Sequence, residues 1–281
     1  MSSDSQRLRL GALVSLMVIL ILSLLCAGRE KNLPTASAGT ELPILMYHHV
    51  HKKADSWGKF VISPGELAED LKYLKENGYQ TVSIEDLENF TSRGKALPEK
   101  PVMLTFDDGY VSFSEYVLPL LEQYDFCAVL SVVGSYTDLY TACDDRNVAY
   151  AYVNWEEVAA LHKTGRVDIG NHTHDMHTNG ARRGCMKMVG ETLADYEQVF
   201  RSDVGKNQEQ IKHTTGTSPL CFTYPYGFIS PESVPILDDM GFSVSLSCNE
   251  GINLLTGTPD ELFGLKRYNR PHGKSAAAIL R

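Results

Sequence analysis

Pro101-Val-Met-Leu-Thr-Phe-Asp-Asp-Gly-Tyr110 is an apolar run that ends in two adjacent carboxylates and a glycine. Such a run reads as a buried strand. In α/β proteins the chemistry sits at the C-terminal ends of strands. Neighbouring side chains on a strand point to opposite faces, but a turn at Gly109 lets Asp107 and Asp108 approach one site. Two carboxylates that close resist joint ionisation unless a cation holds one of them. The run therefore asks for metal ligands elsewhere, and Asn171-His-Thr-His-Asp-Met-His177 offers them.

Outward from this stretch the chain alternates strands with helices. Ile44 to Val50 is a β-type run with His48, His49 and His51 at its end. Each of these reads first as a surface or packed histidine, with His48 kept as a candidate pocket-wall residue. Ser63-Pro64 starts a helix with Leu67, Leu71 and Leu74 on one face, stopped at Gly78. Tyr79 to Val82 reads as a strand, and Ser83 caps a helix to about Phe90. Phe113 to Tyr124 reads as a helix kinked at Pro119, and Phe126 to Val133 as a buried strand. Thr137 to Tyr152 is a polar, tyrosine-bearing excursion with no assignable structure. Asn154 caps a helix whose Trp155 reads as core. Strands at Val167–Gly170, Leu220–Tyr224, Phe242–Ser247 and Leu265–Tyr268, helices at Leu193–Lys212 and Pro231–Met240, and a terminal helix from Ser275 complete the pattern. It predicts an α/β fold with parallel strands and helices outside, as a barrel or an open sheet. Asp107, Asp108, His172, His177 and Tyr226 all follow strands, which favours a barrel with the site at its mouth.

The 281 residues suffice for one full domain of this kind, and the net charge of −9 argues against nucleic acid or another polyanion as partner. Arg7 and Arg9 precede an uncharged apolar run, Leu10 to Gly28. Residues 1–29 read as a signal anchor, with a cleavable signal peptide as the alternative. Either places the domain outside the cytoplasm, at the cell membrane or secreted. Residues 30–41 read as a linker, and 42–281 as the catalytic domain. Beyond Cys26 five cysteines remain, with no Cys-x-x-Cys pair, so a thiolate zinc site is not expected.

Two histidines and one carboxylate form a three-ligand set with an open position, the arrangement of a catalytic zinc. Thr105-Phe-Asp-Asp-Gly109 is similar to the first motif of the polysaccharide deacetylases, carbohydrate esterase family four. Gly170 to His177 resembles their second motif, and Thr223-Tyr-Pro-Tyr-Gly227 their third. The histidine spacing of five resembles the branch acting on poly-β-1,6-N-acetylglucosamine. The resemblance implies a deformed (β/α) barrel that removes acetyl groups from N-acetylglucosamine units of a cell-wall or extracellular polysaccharide. It implies Asp108, His172 and His177 as ligands of a divalent metal, zinc by default, with cobalt, nickel or iron as alternatives. It implies Asp107 as general base, the Tyr226 backbone N–H as an oxyanion donor, and Tyr224, Pro225 and Tyr226 as one wall of the groove.

The chain departs from the family pattern in two places. Thr223 stands where the third motif usually has an arginine that tunes the base, and no tryptophan follows Trp155. His272, the one histidine after His213, is the candidate general acid, and Arg270 a candidate facing the site. A catalytically inactive glycan-binding relative and a two-histidine, one-carboxylate iron oxygenase are the competing readings.

Overall fold

A computed structural model describes residues 39–280. The expected anchor or signal peptide, and the linker up to residue 38, lie outside the described residues. Among the described residues no helix is long and apolar enough to cross a membrane. The strands are β1 (Thr40–Leu42), β2 (Ile44–Tyr47), β3 (His49–Val50), β4 (Val61–Ile62), β5 (Gln80–Thr81), β6 (Pro101–Phe106), β7 (Ala128–Val132), β8 (Val167–Asn171), β9 (Cys221–Thr223), β10 (Val244–Leu246), β11 (Asn253–Leu255) and β12 (Tyr268–Asn269). The helices are α1 (Pro64–Glu76), α2 (Ile84–Arg93), α3 (Leu118–Tyr124), α4 (Gly134–Cys143), α5 (Trp155–Lys163), α6 (Leu193–Thr215), α7 (Ser233–Asp239) and α8 (Ala276–Ile279).

The main sheet is parallel, in the order β10-β9-β8-β7-β6-β2-β12, with β5 added beside β6. It curls into a half-barrel with helices outside, in keeping with the expected barrel. Leu265 bridges Leu246 of β10, and Tyr268 pairs with Leu45 of β2. The segment from Leu265 to Asn269 thus links the two edges of the sheet. β1 pairs antiparallel with β11, so Thr40 and Glu41, expected in the linker, belong to the folded domain.

Every residue of β6 is buried, because the strand is covered on both faces. Val102, Leu104 and Phe106 pack outward with Leu45, Tyr47, Leu130 and Val132 beneath α1, α3 and α5. Met103 points the other way, into a second cluster with Ile44, Val129, Cys221, Val244 and Leu246. The two-residue strand period thus separates an outer core from an inner one.

The helix starts follow the sequence. Ser63, Ser83 and Asn154 each form a reciprocal capping box with the residue three positions on. The expected helix kinked at Pro119 is instead a π-helical turn, Phe113–Val117, followed by α3 with Pro119 in its first turn. Proline lacks the N–H a continuous helix needs, and the wider turn before it absorbs the mismatch. The expected first strand breaks at His48, where the chain leaves β2 to pair β3 with β4.

Arg270, expected to face the site, points out of the sheet instead. Its guanidinium meets Asp70 of α1 at 2.6 Å and Glu66 at 3.1 Å. Asp70 also accepts from the Ala276 N–H and the Tyr47 hydroxyl. This buried pair fastens the last strand and α8 to α1. Arg270→Ala leaves the Asp70 carboxylate buried and uncompensated, so we expect a loss of about 3–5 kcal/mol in urea denaturation.

Candidate metal centre

The backbone after β6 turns sharply. Asp108 has φ +72° and Gly109 φ +80°, both left-handed. A non-glycine residue there is strained by roughly 1–3 kcal/mol. The turn delivers both carboxylates to one place: Asp107 continues the inward face of the strand, and Asp108 folds over the sheet's end. One oxygen of Asp108 lies 3.5 Å from His172 Nε2 and 3.2 Å from His177 Nε2. The ligand atoms of the three residues lie within 4.8 Å of one another.

His172 Nδ1 lies 2.7 Å from the Thr223 carbonyl. A carbonyl only accepts, so Nδ1 carries a proton, and Nε2 is the atom that faces Asp108 and could give a lone pair to a cation held between them. The donor set fits a divalent cation. Tetrahedral ligands held at about 2.1 Å are about 3.4 Å apart, close to both separations from Asp108. Tyr136 lies 3.3 Å from His177 Nδ1 on the far side of that ring. His174 is turned away onto Asp138 at 3.0 Å.

Asp107 is buried and bidentate with Arg267, at 2.7 and 2.8 Å. Arg267 is fully buried and also donates to the Ser247 carbonyl and to Thr105 Oγ1. The inward faces of the neighbouring strands carry small side chains. Ser131 and Thr223 bond each other at 2.6 Å, and a Cβ at Gly170 would stand 2.7 Å from Ser131 Oγ. Burial pushes the Asp107 carboxyl up, but the Arg267 charge and hydrogen bonds, with His172 and His48, outweigh it and hold it below the ordinary carboxylate range. Burial also draws His172 down, yet its bond to Asp108 and the two carboxylate charges hold it above the usual imidazole value. The centre favours positive charge.

His48, at the break after β2, feels both Asp107 and Asp108, and burial keeps it below its ordinary value. Its Nδ1 is buried without a partner among the described residues.

The third motif divides. Tyr226, at φ +58°, is 46% exposed, and its ring centroid lies 4.7 Å from that of His177. Tyr224 and Pro225, expected in the groove wall, are buried. The Tyr224 hydroxyl bonds Ser233 at 2.7 Å, and its ring packs edge-on against Phe222. The strand period sends its side chain to the outer face. His272, expected as general acid, pairs with Glu66 at 2.9 Å and packs on Trp57. Among the described residues no hydrogen bond or ion pair joins His272 or Arg270 to Asp107, Asp108, His172 or His177.

Sequence reasoning passed over Arg267. The strand period held the signal: Leu265 packs in the inner core, so Arg267 shares its face and Arg270 does not.

A family model described as polysaccharide deacetylase matches residues 94–245. The chain belongs to the polysaccharide deacetylase family. It is 27% identical over 230 residues to the poly-β-1,6-N-acetyl-D-glucosamine N-deacetylase of Escherichia coli K12, covering 74% of this chain and 34% of that protein. The chain thus spans about a third of that relative's length. It is 22% identical over 219 residues to the enzyme of the same name from Staphylococcus aureus MRSA252, covering 73% of this chain and 71% of that one. Among solved structures, a de-N-acetylase from Aggregatibacter actinomycetemcomitans shares the fold, with TM-score 0.73, 23% identity, and coverage of 86% and 99% of the two chains. IcaB from Ammonifex degensii aligns with TM-score 0.68, 25% identity, and coverage of 83% and 93%.

With a folded-state pKa below the unfolded one, near 3.9, Asp107 adds stability above that unfolded value. The contribution is lost as the pH falls through the folded pKa. Arg267→Met removes the main counterweight to burial and raises the Asp107 pKa. We expect the acid limb of the pH–rate profile to move to higher pH, with a stability loss of about 3–5 kcal/mol.

Proposed function

We propose that this chain is a metal-dependent N-deacetylase of a polysaccharide containing N-acetylglucosamine, releasing acetate and a free glucosamine amine. The observation that carries this reading is the three-ligand set of Asp108, His172 and His177 beside an Asp107 held ionised by Arg267. The family and the printed names of the E. coli and S. aureus relatives support the substrate class. We take the architecture as the family's deformed (β/α) barrel. The apolar run Leu10 to Gly28 supports a domain held at the cell membrane and working outside the cytoplasm, on cell-wall or extracellular glycan.

A divalent cation on the three ligands, zinc in this proposal, would supply Lewis acidity to water and to the amide carbonyl. The chain's own groups do the rest. Asp107 accepts the proton of the attacking water and orients it. Arg267 fixes both carboxylate oxygens, so the base has one orientation. The Tyr226 backbone N–H donates to the developing oxyanion. We keep His48, rather than His272, as the group that passes a proton to the leaving nitrogen: its Nδ1 is buried without a hydrogen-bond partner among the described residues and it lies in the field of both Asp107 and Asp108, whereas His272 is bound to Glu66.

Acetate release from a β-1,6-linked N-acetylglucosamine pentamer should be abolished by chelator and restored by zinc. Asp107→Asn should keep the metal and lose at least about 100-fold in kcat. Asp108→Ala and His177→Ala should lose the metal, read by elemental analysis of the folded variants. An Asp107→Asn protein with undiminished turnover would remove the base assignment. His48→Ala should lower kcat without lowering metal content.

A further inference from the structure

The excursion that the sequence left unassigned, Thr137 to Tyr152, builds a wall beside the metal centre. Its first part is α4, and its last residues lie antiparallel to the turn after the two aspartates. The Val111 N–H donates to the Ala151 carbonyl, and the Val153 N–H to that of Gly109. Tyr152 is thereby set against Tyr110, with ring centroids 4.6 Å apart. Tyr136 stands 4.6 Å from Tyr152 on another side, and Tyr140 5.5 Å. Tyr136 also meets the His177 ring at 5.8 Å. The four rings form one cluster that starts at a metal ligand and runs away from it. All four are half-buried.

The wall is held in place before any ligand arrives. Asp138 of α4 takes bonds from the Trp155 indole, from Gln210 and from His174 of the second motif. Gly134, at the start of α4, sits so close to Asn207 and His174 that a Cβ would approach them to 2.7 and 2.8 Å. Four tyrosines at a surface bring a large aromatic area at small cost in side-chain entropy, and they carry no charge. That suits a neutral ligand with flat apolar faces. A β-linked glucosamine has its ring substituents equatorial, so its axial C–H groups present such faces to the electron-rich side of an aromatic ring.

We propose that Tyr110, Tyr136, Tyr140 and Tyr152 form a stacking subsite for the sugar units that flank the one being deacetylated, so that the site selects a β-linked N-acetylglucosamine oligomer over the single sugar. This rests on the deacetylase reading above for the identity of the ligand. Tyr136 serves the unit beside the metal, and Tyr152 and Tyr140 serve units farther along.

The test uses the zinc-loaded Asp107→Asn protein and a β-1,6-linked N-acetylglucosamine pentamer, with binding read by calorimetry. Adding Tyr152→Ala or Tyr140→Ala should weaken pentamer binding about five- to tenfold, the scale of one aromatic contact. Tyr140→Phe, which keeps the ring, should retain it, and Leu139→Ala, exposed on the same helix, should change nothing. In the protein with Asp107 intact, the same alanine variants should lower kcat/KM for the pentamer at least about fivefold more than for the single sugar. Pentamer binding unchanged in the Tyr140→Ala, Tyr152→Ala double variant would overturn the proposal, as would no pentamer binding to the Asp107→Asn parent. Tyrosine-dependent pentamer binding without acetate release would sink the deacetylase reading and leave the subsite standing. Acetate release with tyrosine-independent binding would do the reverse.

Discussion

The buried pairing of Arg267 with Asp107 is the interaction on which the rest of this structure depends. Taking a guanidinium and a carboxylate out of water costs several kcal/mol per ion, and mutual attraction offsets that only when the geometry is good and the remaining donors are met. Here both carboxylate oxygens are engaged, and the other guanidinium donors go to Ser247 and Thr105. The pair also dictates what surrounds it. A guanidinium inside a curled sheet needs polar neighbours, and Thr105, on the same inward face of β6 as Asp107, is one of them. Thr223 occupies the place where the family's usual arginine would stand, and Arg267 reaches the same carboxylate from the far end of the chain. Asp107 is therefore held after all, from a segment that also bridges the two edges of the sheet.

The candidate metal centre obeys a second constraint, the orientation of the residues that would hold a cation. The Thr223 carbonyl on Nδ1 orients the His172 ring. Asp108 would sit on the wrong face of its strand without two successive left-handed residues. Each first-rank group thus has a partner from a distant part of the chain. Strand ends are well suited to this, because the hydrogen-bonded ladder fixes the backbone up to the last residue and the turn then aims the side chain.

Some of this was open to sequence reasoning, and the physical reason is locality. The strand–helix alternation, the capping residues Ser63, Ser83 and Asn154, and the burial of β6 on both faces follow from side-chain periods of 2 and 3.6 and from short-range hydrogen bonds. The grouping of Asp108 with His172 and His177 was legible because all three follow strands of one sheet. Helix α4 was not. Its N-cap residue, Val133, makes no side-chain cap, and the first N–H groups are satisfied by the carbonyls of Thr173 and His174. A cap that comes from another segment leaves no local mark.

The roles near the C-terminus were divided by tertiary structure alone. Arg267 and Arg270 are three residues apart and chemically identical, yet one enters the sheet to hold Asp107 and the other leaves it to hold Asp70. His272 follows Arg270 onto Glu66, whereas His48, at the break after β2, feels both Asp107 and Asp108. The sequence by itself determined the kinds of elements, their order, and the residue types able to bind a cation. Which of two arginines or several histidines meets which carboxylate depends on how the sheet curls and where its edges meet. That is set by long-range packing, and no local stretch encodes it.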